Sequence, residues 1–333
     1  MKVPCAHYPR KGLPAHVTRL IGLCMPWLAA LLSSAILQTA FAASTAFSFG
    51  VIGRISMNAS DDSQLRDAIL ASDADNLAFV VASGIKAATE PCTDALYLQR
   101  KEIFQSAKNG LIVSLAASDW SGCRGTDGRS LAIERLNRVR DLFFGSDFSF
   151  GSTKVPTMRQ ANTPKFRAYV ENLRWDIGTT VFATVNLPAN NNDFLTAAGR
   201  NGEFEDRMVA NRDWLHRVFG IAVQKNATGI ILFCDGDPLD RPDAIGRIAL
   251  SGNHDGFSEI RKQLQALSAH FTGRILLVHG QSAAQQASAP DITWRGNLGT
   301  VRGTPGWLKI TVDPNAPNGF VLDTTQRLKT AVN

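Results

Sequence analysis

Apolar positions along the chain fall into two alternating patterns. Short runs of apolar, β-branched and aromatic residues, FSFGVIG (47–53), LAFVVASG (77–84), LIVSLA (111–116), VFATVNL (181–187), GIILFCD (229–235), RILLVHG (274–280) and WLKITVD (307–313), predict strands. Between them DDSQLRDAILAS, DALYLQRKEIFQSAKNG, SLAIERLNRVRDLFFG, EFEDRMVANRDWLHRVFGIAVQKN and GFSEIRKQLQALSAHF carry apolar residues at helical spacing. The first opens on acidic capping residues, and the second is expected to stop at Asn109-Gly110. Strand and helix in this rhythm predict an α/β fold with strands buried on both faces. From 155 to 187 the helical pattern drops out, and VPTMRQ, AYVENLRWDIG and VFATVNL read as consecutive strands or hairpins. The last forty residues are again strand and turn. A sheet whose second half is antiparallel fits this better than a uniform doubly wound one.

The N-terminal segment has a pattern of its own. Residues 1–19 carry Lys2, Arg10, Lys11 and Arg19 and no acid, and LIGLCMPWLAALLSSAILQTAFA follows, ending on Ala40, Phe41 and Ala42. Basic start, apolar run and small-residue end predict a secretion signal over 1–42, cleaved after Ala42. Left uncleaved, the run is about long enough to span a bilayer. Leu23, standing before Cys24 where a small residue belongs, argues against a lipoprotein.

Removing the leader changes the charge. The chain holds 35 Lys and Arg against 29 Asp and Glu; without the four leader bases 31 stand against 29, a net of +2. Such a balance predicts neither a nucleic-acid partner nor an anionic membrane surface. Residues 43–333, without a Pro/Ser/Gly linker or a repeat, are expected to form a single domain in the periplasm or outside the cell.

Three cysteines lie beyond the leader. Cys92 and Cys123, each in a polar loop after consecutive strands, are the expected disulfide in an oxidising compartment; the alternative is three free thiols. Cys234, after GIILF, is expected to be a small buried apolar residue. No cysteine spacing suits a metal.

The order of FSFGVIGRIS, VVASGIKAATEPCTDALYLQRKEIF, LIVSLAASDWSGC, ERLNRVRDLFF, YVENLRWDIGTTVFATVNLPANNN and LLVHGQSAAQQ resembles the secreted bacterial branch of the calcineurin-like metallophosphoesterases over nearly all of 43–333. The resemblance implies a four-layer αββα sandwich of mixed sheets, with two metal ions at the C-terminal ends of the strands. In that family the ligands come as D-x-H after strand one, G-D after strand two, G-N and an acid or histidine after strand three, and late histidines. Carried over position by position, the D-x-H pair falls on Arg54 and Ser56, and the bridging aspartate falls on Ile85. The asparagine falls on Ser118 and its following acid on Asp119, and a later histidine-type position on Asp235 or Cys234. The last motif keeps His279 and Gly280, with Gln281 and Ala283 at ligand or substrate positions.

An aliphatic side chain cannot ligate a metal, and a guanidinium brings a cation where a dication needs an anion. The departures therefore imply a phosphoesterase-like protein without the family's dinuclear metal, non-catalytic, with a binding or structural role. The alternative is an active phosphoester hydrolase recruiting Asp119, Asp235, Asp237 and His279. Arg54 and Lys86 form a candidate cradle for a small anionic ligand; against this, Arg54 pairs with a leftover acid such as Asp119. His279 reads as a hydrogen-bonded structural residue rather than a base, and His216, His254 and His270 have no partner at zinc spacing. GQSAA loosely matches a nucleophile elbow at Ser282, but no histidine follows it. NLPANNN reads as a turn and Trp120 as packing beneath the strand-three loop.

Overall fold

Most of the apolar runs become strands, somewhat shorter than their patterns. A computed structural model describes residues 45–53, 62–195, 201–240, 254–280, 290–304 and 306–323, all within one unit spanning Ser44–Asn333. The leader and its cleavage point lie outside the described residues. In chain order the elements are β1 (Phe47–Ile52), α1 (Ser63–Asp73), β2 (Val80–Ser83), α2 (Asp94–Gln105), β3 (Leu111–Ser114), α3 (Ala132–Phe143), β4 (Met158–Arg159), β5 (Leu173–Ile177) and β6 (Thr180–Thr184). Then follow α4 (Gly202–Gln224), β7 (Gly229–Cys234), α5 (Ser258–His270), β8 (Arg274–His279), β9 (Thr293–Arg295), β10 (Leu298–Arg302), β11 (Trp307–Val312) and β12 (Phe320–Asp323).

These strands form two mixed sheets, of order β12-β11-β1-β2-β3 and β4-β5-β6-β7-β8-β10-β9. The single sheet with an antiparallel second half is thus corrected. The antiparallel pairs are split between the rims of both sheets, because β11 leaves the second sheet's neighbourhood to pair with β1, Phe47 opposite Val312. Parallel pairing holds along β1-β2-β3 and along β6-β7-β8-β10; the pairs β1-β2, β2-β3, β6-β7 and β7-β8 are joined by helical crossovers through α1, α2, α4 and α5.

Alternation along the central strands shows how the layers stack. Phe182, Ile231, Phe233, Leu276 and Val278 point into one core with Phe49 and Phe79 of the five-stranded sheet. Their neighbours Val181, Ala183, Ile230, Leu232, Ile275 and Leu277 point into a second core with Leu215 and Val218 of α4 and Ile260 and Leu264 of α5. Successive side chains in a strand face opposite sides, so the seven-stranded sheet is covered by helices on one face and by the other sheet on its inner face. The inner seam is aromatic: Phe79 meets Phe182 edge to face at 4.9 Å, and Phe49 meets Phe182 at 5.6 Å and Phe233 at 5.9 Å. Contacts of this kind add about 0.5–1.5 kcal/mol each beyond the area they bury. Leu65 and Ile69 of α1, Ile103 and Phe104 of α2 and Leu136 and Val139 of α3 join the first core.

Two local differences from the sequence pattern have physical causes. Helix α2 ends at Gln105, four residues before Asn109, because the Asp73 carboxylate at the end of α1 accepts the amides of Lys108 and Asn109 at 2.8 and 2.9 Å. That draws the chain out of the helix and into β3. The glycine closing the first apolar run, Gly53, is required by close approach: a Cβ there would lie 1.8 Å from the carbonyl oxygen of Thr304.

Candidate functional site

The C-terminal ends of the parallel strands gather two buried carboxylates, Asp119 after β3 and Asp235 after β7, which are 0 % and 4 % exposed. Asp119 is turned toward the backbone. Its Oδ1 accepts the amides of Ile85 and Lys86 at 2.9 and 3.2 Å, and its Oδ2 accepts that of Ala116 at 2.8 Å. Gly84, at φ +97, bends the chain so that those amides face the carboxylate. Burial pushes the Asp119 carboxyl from its ordinary value up to about 6, against the three amides, and the nearby charge of Asp235 adds to the rise.

Asp235 makes the corresponding clasp on the other sheet. Its Oδ2 accepts the amides of Ala117, in the loop after β3, and of Ala189, in the loop after β6, at 2.7 and 2.8 Å. The Gly280 amide, just past β8, donates to the Asp235 carbonyl at 2.9 Å, and the Gly303 amide past β10 donates to the His279 carbonyl at 2.7 Å. Buried amides need acceptors. Here two carboxylates supply them for loops of both sheets.

The positions implied by the resemblance fall as follows. Ile85 is buried, 3 % exposed, and offers the site only its amide, which Asp119 takes. Ser118 donates its hydroxyl to the Lys86 carbonyl at 2.9 Å. Lys86 turns its ammonium to the carbonyls of Ala87 and Glu90, at 2.9 and 2.8 Å, and burial draws its pKa below the usual value in spite of Asp119 and Glu90. An anion cradle on Lys86 would compete with both carbonyls. Backbone amides take the oxygens of Asp119, and the pairing expected of it with Arg54 falls outside the described residues. Arg54, Ser56, Gln281, Ser282 and Ala283 lie outside the described residues.

His279 is 5 % exposed at the end of β8. Its Nδ1 lies 2.8 Å from the Gly280 carbonyl oxygen. A carbonyl only accepts, so Nδ1 carries the proton and Nε2 is the basic atom of the neutral ring. That nitrogen faces Asp237 Oδ2 at 3.5 Å. His216 and His270 lie on α4 and α5, and His254 lies in the loop before α5, its ring against Phe194 at 4.4 Å. Cys234 is buried, and burial holds its thiol well above the ordinary range.

The loop after β6 is more constrained than its asparagines suggest. Asn191, Asn192 and Asp193 have φ of 53°, 56° and 54° in succession, left-handed backbone that non-glycine residues adopt at some energetic cost. Arg207 of α4, 0 % exposed, holds them there: it donates to the Asn192 carbonyl at 2.8 Å and to the Asn192 side-chain oxygen, and pairs with Glu203. Asn192 Nδ2 donates to the Gly256 carbonyl at 2.9 Å, and Asn190 Nδ2 reaches Ser121 Oγ at 3.1 Å, joining this loop to the one after β3. Trp120 packs at 0 % exposure with the Arg207 guanidinium 5.7 Å from its ring centre. Sequence reasoning passed over Arg207. Its only signal, Glu203 four residues earlier, is that of an ordinary solvated pair.

The Cys92–Cys123 disulfide joins the loop before α2 to the one after β3. Tyr97 of α2 donates its hydroxyl to the Asp119 carbonyl at 2.8 Å beside it, and burial raises the Tyr97 pKa. Among the described residues no group of three or more His, Cys, Asp or Glu is arranged to hold a metal ion, and no helix is long and apolar enough to cross a membrane.

No protein-family model matches the chain, and no curated protein matches it at a significant level.

Proposed function

We propose that this protein is a secreted or periplasmic relative of the calcineurin-like metallophosphoesterases in which the two-metal centre is lost and the crevice serves a binding or structural role. Two mixed sheets packed through Phe49, Phe79, Phe182 and Phe233, with helices against both, support the four-layer αββα reading. The disulfide and the pattern of the leader support an oxidising compartment. One observation carries the functional reading: Asp119 and Asp235, the two buried carboxylates at the strand ends where the resemblance would put cations, already accept five backbone amides between them.

The donor set does not fit a pair of dications. Such a pair needs a bridging carboxylate and several imidazole or carboxylate ligands. On the resemblance Ile85 falls at the bridging position, and Arg54 and Ser56 at the first two. Turning Asp119 to a metal would strip amides from the loop after β2, each at a cost of about 1–3 kcal/mol if left unpaired.

A second reading, hydrolysis through Asp119, Asp235, Asp237 and His279, has the approach of His279 Nε2 to Asp237 in its favour. An aryl phosphate ester assay with the protein in manganese separates the two. Turnover no faster than buffer is expected, and turnover abolished by His279→Ala would establish the second reading instead. The family reading has its own test, in the triple variant Arg54→Asp, Ser56→His, Ile85→Asp. Manganese binding gained there supports the carry-over of positions, and a folded variant that gains none counts against it.

A further inference from the structure

The segment from Gly145 to Lys154 folds back beside the beginning of β3, where Phe150 and Leu111 exchange both backbone hydrogen bonds, at 2.8 and 3.0 Å. This is the opposite end of β3 from Asp119. The segment, the second half of α2 and the end of α3 line a half-open cavity of about 410 Å³. Its apolar wall is aromatic: Phe143 and Phe150 stand edge to face at 5.9 Å and each packs on Phe104, while Phe148 is 55 % exposed. An exposed phenylalanine beside such a wall leaves apolar surface for a ring to cover.

Charge selects the ligand. Lys101 and Lys154 line the same cavity, and neither makes an ion pair among the described residues; Lys154 Nζ reaches only the Ser149 carbonyl, at 3.4 Å. Asp141 also lines it but makes no ion pair with either ammonium. The arginines of the neighbouring helices are differently placed: Arg100, Arg135, Arg138 and Arg140 each hold a carboxylate. Two ammoniums against one carboxylate leave an excess of positive charge over an aromatic wall.

We propose that this cavity binds a small aromatic carboxylate, its ring against Phe143, Phe148 and Phe150 and its carboxylate at Lys101 and Lys154. The volume falls within the range usual for small-molecule sites. The proposal is independent of what occupies the crevice.

The probe is 1-naphthoate, titrated into the protein at low ionic strength by calorimetry and by ligand-observed NMR, with neutral 1-naphthalenemethanol in parallel. Saturable binding of naphthoate is expected, about fivefold tighter than the alcohol, the advantage two partly exposed charge contacts give. Phe148→Ala weakens both ligands, and the double variant Lys101→Gln, Lys154→Gln removes the advantage of naphthoate alone. Raising salt to about 0.5 M on the unaltered protein produces the same loss by screening, without reliance on a variant's fold. Absence of saturable naphthoate binding at millimolar concentration, equal affinity for the two ligands, or an advantage that survives both salt and the double substitution overturns the proposal.

Discussion

The Oδ2 atom of Asp235 lies 2.7 Å from the amide nitrogen of Ala117. One residue follows β7 of the seven-stranded sheet and the other follows β3 of the five-stranded sheet, so this hydrogen bond fastens the two sheets together at the C-terminal ends of their parallel strands. The same oxygen holds Ala189 after β6.

Removing that carboxylate leaves two amides without their acceptor. Asp235→Ala is expected to lower stability by about 2–4 kcal/mol, and Asp235→Asn, which keeps one acceptor oxygen, by less. Urea denaturation measures both. A loss under about 0.5 kcal/mol for the alanine variant would mean that the clasp does not organise the crevice.

Asp119 gives a pH dependence of definite sign. Its folded pKa, about 6, stands above the ordinary carboxylate value of 3.8, so the folded state binds the proton more tightly than the unfolded chain. Its contribution to stability is full below pH 4 and is lost as pH rises through about 6. Asp193, also raised to about 6 by burial, acts in the same window and in the same direction. Unfolding free energies at pH 4 and pH 7 for the protein and for Asp119→Asn check this: the share of the pH-dependent loss due to Asp119 is absent from the variant. An unchanged difference between the two pH values would contradict it.

The strands buried on both faces were legible because LIVS, GIILFC and RILLV are near-continuous apolar runs, and the helices because their apolar residues recur at helical spacing. Strands β9 and β10 were legible only as part of a closing stretch of strand and turn, without bounds of their own. TWRGNLGTVR carries charges and glycines, and Gly299 is needed there only because a Cβ would come within 2.9 Å of the Trp294 ring, a tertiary fact with no local signature. The division into two sheets depends on β11 crossing to β1, a pairing between residues some 260 positions apart, Ser48 opposite Thr311. At the site, Asp119 and Asp235 could be read from the order of strand ends, but their amide partners could not, since every residue except proline has an amide. Arg207 resembled a solvated arginine on a helix until the loop it supports was in place.

Arg207 tests whether the left-handed turn is held from outside. Arg207→Met keeps the packing against Trp120 and removes the bonds to Asn192 and Glu203; stability is expected to fall by about 3–5 kcal/mol, as when one partner of a buried ion pair is lost. Amide hydrogen exchange at Asn191–Phe194 should quicken more than in β7. Equal protection of the turn in both proteins would show that its own side chains suffice.

The disulfide constrains the loops behind Asp119. Its cysteines are 31 residues apart, so replacing both with serine should lower stability by about 3–4 kcal/mol on loop closure alone. Guanidinium denaturation of the variant, beside the intact protein with and without reductant, measures the loss. No loss would place the loops under other control.

Calorimetric titration of manganese into metal-free protein tests the central claim most directly, because it asks whether the crevice grips dications irrespective of any substrate. With Asp119 and Asp235 engaged by amides, and with Ile85 at the bridging position under the proposed reading, no saturable uptake of two ions per chain is expected up to millimolar manganese. Two manganese ions bound per chain at micromolar concentration, and lost in Asp119→Asn or Asp235→Asn, would contradict the account.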